Sequence, residues 1–285
     1  MSASAANYRW RQVKNLVMLS LCGLSAAIVI VPLFLIISYL VIKGVGSVNP
    51  QLFTELPKPV GEVGGGMGNA IVGTLLLLSI AVAIGVPIGI MSGLYLAEYG
   101  ESRFAGVARF LIETLNATPS IVVGIFAYTM VVVPMGGFSA LAGGVALAVM
   151  MVPTVARATE EVVGTVPQSL REAALALGVS SWRTTWSIVL RTAAPGIVTG
   201  VMLALSRVAG ETAPLLFTAF NNRNWSISPT QPISSLPVQI FSYAISPYEE
   251  WHRQAWAAGL VLIGIIFIIS LLARFIVRQP KGSRR

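Results

Sequence analysis

Arg207 and Glu211 carry the most chemistry in this chain, because both are charged and both lie in an apolar stretch, 195–219. At a bilayer centre a charged side chain costs about 2.5–3.5 kcal/mol on insertion scales. Arg207, at the midpoint of that stretch, is therefore expected to face a cavity or a partner. Four residues apart on one helix, the two share a face and are able to pair. Two chemistries stay open. Either the pair neutralises itself inside a helix bundle, or it forms a polar patch on a substrate path. A guanidinium keeps its charge and offers an oxyanion a planar fork of N–H donors. A carboxylate beside it holds the fork and tempers its field, so that a bound anion is also released.

A second group runs from Val166 to Gly178. Ser169 and Glu172 have the S-x-x-E spacing of a capping box, Pro167 precedes them, and Gly178 supplies a left-handed stop. The spacing predicts a two-turn helix of Ala and Leu, too short to cross a bilayer and too apolar to stand bare in water. It is expected to lie on the membrane surface or to be covered by a partner protein.

Other site chemistry is scarce. All 11 acidic residues are glutamate, His252 is the one histidine, and Cys22 is the one cysteine. A Ser-His-Asp triad and a multi-ligand metal cage are thus close to impossible within the chain, and no acid, base and nucleophile converge as an enzyme requires. There is no Walker A sequence either, so any energy from ATP must be borrowed from another chain. His252, beside Glu249 and Glu250, is expected to be solvent-exposed. Arg157 and Glu161 are expected to form a surface pair four residues apart.

The elements that position these residues are membrane helices. Of 285 residues, 55% are apolar and only 11% charged, with a mean hydropathy of +0.79; a soluble domain carries about a quarter charged residues. The apolar residues fall in six long runs, at about 16–42, 69–97, 115–133, 139–156, 195–219 and 254–277, each near the length of a spanning helix. The first run follows Arg9, Arg11 and Lys14 but is too long for a signal peptide's apolar core, and reads as an uncleaved span. Counted by side, 14 Lys and Arg flank one face and four (Lys43, Lys58, Arg223 and Arg253) the other. The positive-inside bias places both termini in the cytoplasm. The basic residues Arg274, Arg278, Lys281, Arg284 and Arg285 fit that topology and contact with anionic lipid.

Gly64 to Gly68 reads as a flexible joint after the first span. Residues 221–253 read as the largest external loop, with Trp225, Tyr243, Tyr248, Trp251 and nearby Trp256 marking the membrane interface. Asn116, Thr118 and Ser120 put polar groups around Pro119 at the inner end of the third span. Pro214 is the hinge expected nearest the Arg207 path.

Glu172, Ala173, Ala174 and Gly178, with Ile188 and Leu190 further on, stand at the spacing of an EAA loop, and here the chain resembles the binding-protein-dependent ABC transporter permeases. In that family the loop forms a coupling helix seated in a groove of a cytoplasmic ATPase. The usual Pro after the Leu is Arg191 here, and Pro195 follows later. Gly210 to Ala219, Gln231 to Ile233, Leu236 to Phe241 and Ala117 to Gly124 are similar to phosphate-transporting members of the family. The likeness covers most of 69–277.

The resemblance implies an all-α integral membrane fold, with a MetI-like ABC permease core of five helices plus one N-terminal helix. Residues 1–68 would hold the cytoplasmic N-terminus, first span and Gly-rich periplasmic connector. Residues 69–277 would form the core, with its coupling loop at about 157–191, and 278–285 a basic cytoplasmic tail. The implied function is translocation of inorganic phosphate into a bacterial cytoplasm across the inner membrane. Arg207, Glu211 and Thr212 would line the path, and Glu172, Ala173, Ala174 and Gly178 would contact the ATPase. The partners implied are a second homologous permease, two ATPase copies that use ATP and Mg, a periplasmic or surface phosphate-binding protein, and lipid. No cofactor in this chain and no nucleic acid is implied. A permease for another oxyanion, or an anion channel subunit outside the ABC class, is the alternative.

Overall fold

The computed structural model describes residues 2–62 and 64–277, and among them there is helix and no strand. Eleven helices follow in order. They are α1 (Ser2–Val45), α2 (Pro50–Thr54), α3 (Gly68–Glu98), α4 (Arg103–Ala117), α5 (Ser120–Met135), α6 (Ala140–Gly164) and α7 (Gln168–Ala176). After them come α8 (Ser181–Val208), α9 (Ala213–Thr218), α10 (Leu236–Ala244) and α11 (Glu249–Val277). Five are long and apolar enough to cross a membrane: α1, α3, α6, α8 and α11. A sixth crossing requires α4 and α5 together, and these are bent by 105° at their break.

The core is the α3–α6 pair. Gly85, Gly89 and Gly93 recur every fourth residue, so one bare face of α3 meets α6. A methyl at Gly89 would lie 2.7 Å from the Val155 Cβ, and one at Gly93 2.7 Å from the Thr159 Cβ. Leu77, Leu147, Met151 and Val155 fill the rest of the seam, each 1% exposed or less. α8 also packs along α6 and touches α3, and α11 packs against α8 and α1. α1 stands apart, resting on α11 only near its C-terminal end, where Leu40 is buried and Tyr39 meets Trp256 edge-on at 5.2 Å.

Several expectations change here. The fifth crossing is 181–208, not 195–219, because the helix enters fourteen residues earlier and stops at Val208. The third apolar run is not one helix: α4 and α5 are separated at Thr118 and Pro119, since proline cannot donate to the preceding turn, and the two meet at 105°. Gly64 to Gly68 is not a flexible joint. Gly65 to Gly68 is buried, Met67 N–H donates to the Leu52 carbonyl at 2.8 Å and Gly68 N–H to that of Glu55 at 3.1 Å. A methyl at Gly68 would lie 2.6 Å from both the Phe53 carbonyl and the Trp225 ring.

Nor is 221–253 all loop, since it contains α10 and the start of α11. Its first part returns to cap α6, whose Ala140 and Leu141 N–H groups donate to the carbonyls of Gln231 and Pro229 at 2.9 and 2.8 Å. α10 then enters the bundle, with Leu236 N–H donating to the buried Thr74 hydroxyl at 2.8 Å. Tyr243, 3% exposed, therefore belongs to the core rather than the interface, and stacks on Trp251 at 4.4 Å. His252 is half-buried rather than free, its Nε2 lying 2.6 Å from the Ser246 carbonyl. Of the basic tail, only Arg274 falls among the described residues; it is exposed in the last turn of α11.

Candidate functional site

The end of α8 is where the polar residues collect. Beyond Val208 the backbone tightens into a turn, with Gly210 N–H donating to the Arg207 carbonyl at 3.3 Å and Glu211 N–H to that of Val208 at 3.2 Å. Thr212 then leads into α9, its carbonyl accepting from Leu216 N–H at 3.1 Å. Arg207 and Glu211 are therefore not four apart on a continuous helix, and no ion pair joins them. Arg207 Nη1 instead donates to Asn116 Oδ1 at 3.1 Å, and its other N–H groups have no protein acceptor among the described residues.

Asn116 lies in the last turn of α4, just before the Thr118–Pro119 break. On the other side of that break α5 crosses α9 so closely that a methyl at Gly124 would sit 2.8 Å from the Pro214 Cα. Two interrupted helices, α4/α5 and α8/α9, thus meet at one junction bridged by the Arg207–Asn116 hydrogen bond. Pro214 is buried in the first turn of α9, and the break itself lies at 209–212. A cation is favoured at a helix C-terminus, where backbone carbonyls are unpaired.

Although Arg207 ends its helix, its depth is still central. A methyl at Gly196 would abut Val162, and one at Gly200 would abut Ala158. That antiparallel register, carried forward seven residues, sets Arg207 level with Met151, near the middle of α6. Arg207 is exposed in this single chain, as are Leu203, four residues earlier on the same helix, and Ile121, Val122 and Ile125 of α5. Glu211 and Thr212 are half-buried next to it.

At the far end of the bundle α7 forms a protruding helix. The expected capping box is absent: the N-cap position falls on Pro167, whose carbonyl accepts from Leu170 N–H at 3.2 Å, and no side chain caps the helix. Because the helix starts two residues early, Ser169 is already inside its first turn. The C-terminal stop forms as expected. Gly178 has φ +77°, its N–H donates to the Leu175 carbonyl at 2.9 Å, and Val179 N–H donates to that of Ala174 at 3.1 Å. This is a Schellman closure.

Glu172, Ala173 and Gly178 face outward, and Ala174, 4% exposed, packs inward against its own chain. Around them Leu177 is 83% exposed and Trp182 65%. Arg171 holds the helix from behind by pairing with Glu98, the last residue of α3.

Asn116 drew attention in the sequence only as part of a polar run, and Glu98, Arg109 and Glu160 drew none. Their partners are 91, 73 and 51 residues away, so no local spacing announces them. Arg157 does pair with Glu161 at 3.0 Å, as expected, but it also approaches Glu160 and Glu113 at 3.5 and 3.9 Å. Among the described residues no three His, Cys or Glu side chains gather as a metal site.

A buried-cored membrane bundle with interrupted helices at mid-depth and a short apolar helix at one end is the architecture of a transport permease. The sequence profile described as binding-protein-dependent transport system inner membrane component matches residues 85–281. The chain is 48% identical to the phosphate transport system permease protein PstA of Yersinia pestis, over 95% of this chain and 92% of that protein. It is 40% identical to the PstA of Haemophilus influenzae, over 96% and 97%. An inward-facing structure of the MetNI methionine ABC transporter superposes with a TM-score of 0.59 at 19% identity, covering 74% of this chain and 92% of that one. A bacterial ABC transporter for the acidic polysaccharide alginate gives 0.57 at 14%, covering 75% and 79%. At such identities these two speak to the fold alone, which is the MetI-type permease fold. The chain belongs to the binding-protein-dependent transport permeases and, within them, to the PstA family.

Proposed function

We propose that this chain is one transmembrane subunit of an ABC importer that moves inorganic phosphate into the cytoplasm, driven by ATP hydrolysed on partner chains. The observation that carries the reading is Arg207. It is a guanidinium at mid-bundle depth, tethered by one hydrogen bond to a neutral Asn116 and free to turn its remaining donors to an anion. A purely structural arginine at that depth would be expected to have a carboxylate on it. Phosphate as the anion rests on the likeness to the PstA proteins. In this reading Glu211 and Thr212 complete the polar wall, and a second homologous permease closes the path on the open flank of α5 and α8.

The outward-facing Glu172, Ala173 and Gly178, with the exposed Leu177, supply the surface on which one of two ATPase copies would sit. A periplasmic or surface phosphate-binding protein would deliver the anion on the opposite face, and both termini would lie in the cytoplasm. The test is a reconstituted complex in proteoliposomes. ATP hydrolysis stimulated by the phosphate-loaded binding protein, with phosphate accumulating only when ATP is present, is the expected result. Equal phosphate movement by this chain with no nucleotide and no companion subunits would instead mark it as a channel.

A further inference from the structure

Two partly buried ion pairs lie outside the Arg207 junction and bind no substrate in the reading above. Arg171 of α7 is paired with Glu98, the last residue of α3, with the two side chains 17% and 21% exposed. Glu160 of α6, 14% exposed, takes Arg109 of α4 on one oxygen: Nε donates at 3.1 Å and Nη2 at 2.7 Å. Its second oxygen faces Arg157 Nη1 at 3.5 Å. Between the pairs stands the α3–α6 seam, where a methyl at Gly93 would abut the Ala156 carbonyl and lie 2.7 Å from the Thr159 Cβ and 3.0 Å from the Glu160 nitrogen. Glu98 is five residues beyond Gly93. Glycine lets the two backbones approach closely, so the ends of α3 and α6 that carry Glu98 and Glu160 are held in direct steric contact.

α4 is the receiving element. Only Ala105 and Ile112 of its side chains are buried, while Phe104, Val107, Phe110 and Leu111 face outward. The helix thus has little apolar packing to fix it, and the Arg109 fork supplies a directional hold that apolar contact does not. Two turns further along α4 is Asn116, the acceptor for Arg207. The contacts run without interruption from α7 through Glu98, the seam, Glu160 and Arg109 to Asn116 and the guanidinium.

We infer that Arg171–Glu98 and Arg109–Glu160 are positioning pairs of a strut that carries displacement of the docking helix to the Arg207 junction, so that they set how much phosphate moves per ATP. The inference rests on the reading of α7 as the ATPase-docking helix. Neither pair touches substrate or nucleotide. The strut acts by keeping α7, α3, α6 and α4 in step.

The test uses the full complex in proteoliposomes, with ATP hydrolysis and phosphate uptake measured separately. Glu98→Gln and Glu160→Gln are expected to keep hydrolysis within twofold of wild type while phosphate moved per ATP falls at least fivefold. The exchanges Glu98→Arg with Arg171→Glu, and Arg109→Glu with Glu160→Arg, are expected to recover at least half of that ratio. A second measurement needs no comparison between separately folded proteins. With Cys22→Ser, the variant Glu98→Cys/Arg171→Cys is bridged by a short bis-methanethiosulfonate reagent and then reduced in the same vesicles. The ratio should be near wild type when bridged and fall on reduction. An unchanged ratio in the single variants, or no response to reduction, overturns the strut. Failure of the docking reading shows separately, as a wild-type complex whose uptake ignores ATP.

Discussion

Replacing Arg207 by Gln separates a transport role from a structural one. The side chain is exposed in this subunit and makes one protein hydrogen bond, to Asn116, so its removal should cost the fold no more than about 1 kcal/mol. Its contribution to transport is larger. An oxyanion held by two guanidinium N–H groups gains two charge-assisted bonds of about 1.5–3 kcal/mol each. Losing about 3–6 kcal/mol corresponds to roughly a hundredfold to ten-thousandfold slower uptake at low phosphate, since about 1.4 kcal/mol is tenfold. Asn116→Ala only frees the guanidinium to wander; the loss of about 1 kcal/mol predicts a decrease of about fivefold. Arg207→Ala combined with Glu211→Ala should stay as inactive as Arg207→Ala alone, because no ion pair joins the two residues. The assay is radiolabelled phosphate uptake into vesicles, with subunit copurification as the measure of assembly. Full uptake by Arg207→Gln, or its failure to assemble, would refute the reasoning.

Three more outcomes follow from the docking loop and the seam. Ala173→Asp and Gly178→Asp should leave the permease folded but break the link between ATP hydrolysis and uptake; at Gly178 the left-handed φ of +77° adds a strain of about 1–2 kcal/mol, so Gly178→Ala should show a milder defect of the same kind. Ala174→Asp should act differently, lowering the thermal midpoint of the isolated subunit, because it buries an unpaired carboxylate under α7, and Glu172→Ala should leave helix stability untouched, since that side chain caps nothing. Gly89→Val drives methyl groups into Val155 and should cost about 1–3 kcal/mol, read as a roughly fivefold to hundredfold fall in assembled complex, with Ile88→Val on the exposed face as the neutral control.

Composition and run length alone determine that this is a helical membrane protein, because so few charges leave no way to clothe a soluble surface. The EAA spacing places a short helix between the fourth and fifth crossings, and Gly178 dictates its end, since a left-handed stop is local chemistry. What neighbouring residues cannot settle is where a helix breaks when both sides are equally apolar. The apolar stretch 195–219 reads as one span despite Arg207 and Glu211, yet the chain leaves the helix at Val208 and α9 folds back to meet α5 at Gly124. That break turns Glu211 away from Arg207 and gives the arginine to Asn116, ninety-one residues earlier. The pairs Arg171–Glu98 and Arg109–Glu160 were equally invisible. Each partner looks like an ordinary charge on its own helix, and only the tertiary placement of α7 beside the end of α3, and of α4 beside α6, brings them within reach of each other.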